Sequence, residues 1–158
     1  MIMKRRLKFE CLPQALWGKN IRSELGQDEW DIIRKKTYKK YNHRCAICGK
    51  RAKMNAHEVW KLKINSKKGI GTQILVNVIS VCDDCHNTIH IGRSLSIGIP
   101  LEQVLFYYRT MNNISEDESL ADLEYMDEKL DKLNRILYWD IDLSLLENDK
   151  YLSVFSIQ

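Results

Sequence analysis

The spacing of apolar positions changes several times along the chain, and each change marks an expected element. Met1–Glu10 shows neither helical nor strand spacing and reads as a basic arm, either disordered or an edge strand. Leu12–Pro13 punctuates it. Gln14–Leu25 then predicts a short helix stopped by Gly26, and Asp28–Tyr41 a second one. In the second, Trp30, Ile33, Thr37 and Tyr41 fall on one stripe, with acids early and Arg34, Lys35, Lys36, Lys39 and Lys40 late, as the helix dipole favours. Met54–Leu62 and Ile74–Val81 predict strands, with Asn65–Gly71 as the turn. Helices are expected from Asp83 to about Ile91 and over Leu101–Met111 after Pro100. Ser115-Glu116-Asp117-Glu118 opens a longer one, expected to reach Tyr138. Within it, Leu123, Met126, Leu130, Leu133 and Leu137 alternate steps of three and four, the mark of a packing seam or of a short coiled-coil dimer. Trp139–Leu146 and Tyr151–Ile157 read as extended or mixed segments.

A chain of 158 residues with 44% hydrophobic and 29% charged residues suits a folded domain and excludes a mostly disordered chain. No apolar run reaches the roughly 18–20 residues of a membrane span, and no secretory leader is visible, so the expected location is the cytoplasm. The net charge of +4 hides a strong asymmetry. Residues 1–70 carry 19 Lys and Arg against 6 Asp and Glu, whereas residues 71–158 carry 6 against 15. A basic half points to a polyanion, most simply nucleic acid, unless the two halves neutralise each other.

The cysteines sharpen this picture. Cys45 and Cys48 form one C-x-x-C pair, Cys82 and Cys85 another, and Cys11 stands apart and reads as a small buried residue. Two such knuckles, in a chain expected to meet a reducing environment, predict a tetrahedral structural Zn²⁺ site. Between the knuckles lies the expected strand–turn–strand, and the second knuckle runs into a helix. His86 and His90 are four residues apart there, so one helix face carries both imidazoles and can clamp a metal. His86 could alternatively serve the structural zinc. His43, beside Arg44, reads as a surface residue.

The stretch from Cys45 to His90, with His57, Asn77-Val-Ile-Ser-Val-Cys82-Asp-Asp-Cys85-His86 and the His86/His90 pair, resembles the four-cysteine branch of the HNH endonuclease family. The histidine pair is similar to that of the colicin DNases. The flanks, Trp30-Asp-Ile-Ile-Arg-Lys-Lys-Thr-Tyr38, His57-Glu-Val-Trp60, His90-Ile-Gly92 and Trp139-Asp-Ile-Asp142, resemble small bacterial and phage HNH proteins. The resemblance implies an α+β chain whose zinc-stabilised ββα-metal core is embraced by N-terminal helices and a C-terminal helical arm. It implies one compact domain with a basic N-terminal part at 1–41, the HNH unit at 42–95 and an acidic helical part at 96–158.

The implied activity is metal-dependent hydrolysis of DNA phosphodiester bonds. In that reading His57 is the general base, Asn77 orients the hairpin, and His86 and His90 hold a catalytic divalent ion (Mg²⁺, Mn²⁺, Ni²⁺ or Zn²⁺). Ala56 stands where the family places a carboxylate or imidazole ligand. Glu58 is a candidate replacement, and a reversed assignment makes His57 the third ligand and Glu58 the base. Arg34, Lys35, Lys39, Lys40, Arg44, Lys50, Arg51 and Lys53 are candidate contacts to the DNA phosphate backbone, or the wet face of a helix. The alternative function is an inactive HNH-fold zinc module that binds nucleic acid or a protein, for example in phage or bacterial defence. The acidic helix Glu116–Asp131 would dock a protein partner, and a homodimer is a further expected form.

Overall fold

The computed structural model describes residues 4–147. Its centre is a long antiparallel hairpin, β1 (Met54–Asn65) and β2 (Ile70–Cys82), in register from Met54 opposite Cys82 to Asn65 opposite Ile70. A shift at Val59/Trp60 leaves Val76 as an extra residue, so Leu75 and Val78 reach the same core although three apart. A short strand, β3 (Tyr138–Asp142), runs parallel to β2 and gives the sheet order β1-β2-β3.

Alternation along the hairpin sends neighbouring side chains to opposite faces. On one face Ala56, Trp60, Leu75 and Val78 pack with Ile21 of α1 (Ile21–Leu25) and with Trp30 and Ile33 of α2 (Gln27–Lys40). On the other, Ile79 and Val81 meet Cys85 and Ile89 of α3 (Asp83–Ile89) and Tyr108 of α5 (Leu101–Asn112). Between them, α4 (Ile91–Ser96) packs Ile91 against Val104 and Leu105, with Leu123 and Met126 of α6 (Glu116–Leu133) closing that cluster. The fold is therefore α+β, with six α-helices and one three-stranded sheet among the described residues. None of these helices is long and apolar enough to cross a membrane.

Several expectations are revised. The helix foreseen over Gln14–Leu25 is a 3₁₀ turn at Gln14–Leu16 followed by α1. Asn20 and Ser23 form a reciprocal capping box that starts a new helix, Ser23 N–H donating to Asn20 Oδ1 at 2.8 Å. Helix α6 stops at Leu133 rather than Tyr138, because the chain turns back to pair β3 with β2. There the Trp139 ring lies flat on Gly71, with no room for a Cβ, and its indole donates to the Ile136 carbonyl at 2.9 Å. The leucine stripe is an internal seam, and Leu137 is 72% exposed beyond its end.

From Lys4 to Glu10 the arm is tied to the rest of the protein without being a strand. Asn112 brackets Leu7, accepting from its N–H at 3.0 Å and donating to its carbonyl at 2.9 Å. Arg5 pairs with Asp122 at 2.6 Å, Phe9 stacks on Tyr108, and Glu10 N–H donates to the Ile89 carbonyl at 2.8 Å. Large aromatics are most simply core anchors, which would bury Trp17, Trp30, Trp60 and Trp139 alike, but Trp17 is 66% exposed. The segment Tyr151–Ile157 lies outside the described residues.

Candidate metal centres

The first knuckle leaves α2 through a turn and reverses at Gly49, whose φ of +75° suits a residue without a Cβ. Gly49 N–H donates to the Cys45 carbonyl, and Cys48 N–H to the Cys45 sulfur at 3.5 Å. The second knuckle spans the end of β2 and the start of α3. The sulfurs of Cys45, Cys48, Cys82 and Cys85 all lie within 4.8 Å of one another, with Cys48 and Cys82 3.7 Å apart. Zinc–sulfur bonds of about 2.3 Å in a tetrahedron require about 3.8 Å. The four cysteines could thus hold a structural metal ion such as zinc with little adjustment. The hydrogen bond with Cys85 and the Cys48 amide hold the Cys45 thiol well below its ordinary range, and Cys85 is raised in return. Tyr107 Oη lies 3.3 Å from the Cys85 sulfur, a contact with no counterpart in the knuckle spacing.

The second centre uses the same hairpin and helix. His57 projects from β1 on the α3 face, while His86 lies within α3 and His90 caps its end. One ring nitrogen of each lies within 4.8 Å of the others, and the His86 and His90 ring centroids are 4.7 Å apart. Burial lowers His57 to about 3 and, with the charges of His90 and His57, His86 to about 4. Both are neutral imidazoles at pH 7, the state a metal or a proton requires. Glu10 completes the group: its Oε2 lies 2.8 Å from His90 Nδ1 and its Oε1 3.9 Å from His57 Nε2.

These side chains line a cleft of about 700 Å³ that runs between α1, β1 and the α3–α4 junction. Lys19, Arg22 and Arg93 bring positive charge to it, Glu10, Glu58 and Asp83 carboxylates, and Ala56, Trp30 and Trp60 apolar surface.

Comparison with models of known families, with curated proteins and with solved structures finds no match.

The remaining candidates are distributed differently. Glu58 lies on the α1 face of β1, where its carboxylate accepts from the Ile21 N–H at 2.9 Å, and burial pushes it up to about 7. It forms no part of the histidine group among the described residues. Ala56 packs in the apolar cluster on that same face. Asn77 sits beside the bulge and accepts from Val78 N–H.

The eight basic candidates surround α2 and the first knuckle, and none lines the cleft. Arg34 pairs with Asp31, Lys50 with Asp84, and Arg44 donates to the Gly49 carbonyl. Lys40 lies over the Tyr41 ring, and Lys35, Lys39, Arg51 and Lys53 are exposed. Sequence reasoning missed Glu10, Lys19, Arg22, Arg93 and Tyr107. Only Glu10 carried a signal, as the single acid in the first 23 residues.

Proposed function

We propose that this chain is an HNH-type, metal-dependent endonuclease that hydrolyses DNA phosphodiester bonds. The observation that carries the reading is the meeting of His57 from the hairpin with His86 and His90 from the following helix, beside a four-cysteine cluster and at a cleft that Lys19, Arg22 and Arg93 also line. Nitrogens on a common ion of this kind lie about 3.4 Å apart, so small rotations would close His86 and His90 onto one and leave His57 beside it. A divalent ion held there by His86 and His90 would supply Lewis acidity to the scissile phosphate and stabilise the departing oxygen.

The protein's own groups do the rest. Lys19, Arg22 and Arg93 attract and orient the phosphodiester backbone. His57, neutral and seated on a rigid strand, accepts the proton of the attacking water. Asn77 holds the backbone at the bulge and so the aim of the hairpin.

The test is plasmid nicking by zinc-loaded protein with Mg²⁺, Mn²⁺, Ni²⁺ or added Zn²⁺. Nicking should fall at least about 100-fold in His57→Ala and in His86→Ala while both remain folded. Intact plasmid with every ion, from folded wild type, overturns the proposal.

One observation favours a second reading, an inactive module that binds nucleic acid or a protein. Ala56, at the cleft wall and packed against an apolar cluster, offers no ligand. Under that reading DNA binding is retained without cleavage and is unchanged by His57→Ala.

A further inference from the structure

The basic arm delivers one carboxylate to a cluster of imidazoles, and the delivery is mechanically specific. Leu7 is fully buried and bracketed by Asn112, and Phe9 stacks on Tyr108 at 4.1 Å. The backbone of Glu10 is tied to the Ile89 carbonyl, one residue before His90. The Glu10 side chain is 17% exposed, and its carboxylate meets His90 Nδ1 at 2.8 Å. A carboxylate can only accept, so the imidazole donates through Nδ1. That fixes the tautomer with its free lone pair on Nε2, the nitrogen left for a metal.

We propose that Glu10 is a positioning residue of the histidine centre: its carboxylate orients His90 and fixes its tautomer, so that an arm remote in sequence sets the affinity of the site for a divalent cation. The inference rests on the reading of that centre as metal-binding and adds to it. It also gives the arm an office beyond charge. Position 56 is an alanine and offers no ligand, whereas the arm brings a carboxylate to His90.

The test uses the full chain, zinc-loaded at the cysteines, titrated calorimetrically with Ni²⁺. Wild type should bind one Ni²⁺. Glu10→Ala should bind it about 10- to 100-fold more weakly, the usual cost of losing such a partner. Glu10→Gln, which keeps an acceptor oxygen but loses the charge, should fall between the two. Before Ni²⁺ is added, long-range proton–nitrogen NMR should show His90 protonated at Nδ1 in wild type and mixed tautomers in Glu10→Ala. A purely structural contact would change the melting temperature but neither the Ni²⁺ affinity of the folded protein nor the graded order of the variants.

Equal Ni²⁺ affinity in wild type and both variants, or an unchanged His90 tautomer in Glu10→Ala, overturns this inference and leaves the nuclease reading standing. No Ni²⁺ binding by wild type overturns both.

Discussion

The cysteine and histidine centres are built from the same hairpin and helix, yet their surroundings are opposites. Cys45, Cys82 and Cys85 are buried in the cluster formed by Leu7, Val81, Ile89 and Tyr108. Their hydrogen-bond partners are one another, the knuckle backbone and Tyr107. The histidines stand at the wall of a wide cleft with cations around it. A closed thiolate site suits a structural ion, whereas imidazoles at an open cleft leave room for a substrate. Helix α3 divides the two: Cys85 turns into the core, and its neighbour His86 turns towards the cleft.

The largest expected effect breaks the closed side. Cys45→Ser or strong chelation should unfold the zinc-dependent core, seen as loss of helical circular dichroism together with loss of both ion sites. By contrast, His86→Ala should keep its zinc and its fold.

The next contrast lies between the two faces of β1, which titrate in opposite directions. His57 and His86 take up protons near 6.5 when unfolded but only at about 3 and about 4 when folded. The unfolded chain therefore binds more protons in that window, so stability is full above pH 6.5 and falls as pH drops through it. Each unit of separation is worth about 1.4 kcal/mol. Glu58 does the reverse: held at about 7 rather than 4.5, it favours the fold below pH 4.5 and loses that contribution as pH rises through 7. Urea midpoints across pH 4–8 should lose their acid-side slope in a His57→Gln/His86→Gln double variant. In Glu58→Gln they should lose the decline towards neutral pH.

A smaller effect belongs to neither centre. Gly71→Ala forces a Cβ into the Trp139 ring and should cost about 1–3 kcal/mol in urea unfolding, without changing zinc content. Smallest are the rim charges. Lys19→Ala, Arg22→Ala and Arg93→Ala should each weaken DNA binding by a similar small factor and reduce its salt slope by about 1. The same change at Lys35 or Lys39, away from the cleft, should leave the slope close to wild type.

Much of this was legible in the chain because the signals are local. Two C-x-x-C pairs, the four-residue step from His86 to His90, and Ser115 followed by Glu118 each act within a turn or two. The capping box at Ser115 is present as read, Glu118 N–H donating to Ser115 Oγ at 3.1 Å. The hairpin was legible because its alternation and its glycine-bearing turn are local too. What escaped depends on contacts between distant segments. Nothing in Lys4-Arg-Arg-Leu-Lys-Phe-Glu10 announces that Asn112 brackets Leu7, or that Glu10 meets His90. Trp139–Leu146 reads as extended or mixed, but the pairing of β3 with β2 escaped because five residues of parallel pairing carry no turn signal, and the leucine spacing continued past the true end of α6. Trp17 misled because a large aromatic was read as core although its indole reaches only the Leu12 carbonyl.

The route of the arm also bears on how such a motif can be cut out and reused. Residues 42–95 contain the four knuckle cysteines and the three clustered histidines, and on paper they look like a transplantable cassette. Yet the lid over the thiolates is Leu7 and Tyr108, the hydroxyl on Cys85 is that of Tyr107, and the acceptor on His90 is Glu10. An excised cassette would carry the ligands without their covers, so its sulfurs would meet solvent and oxidants. The heritable unit here is a discontinuous one, in which segments before and after the knuckles close over them.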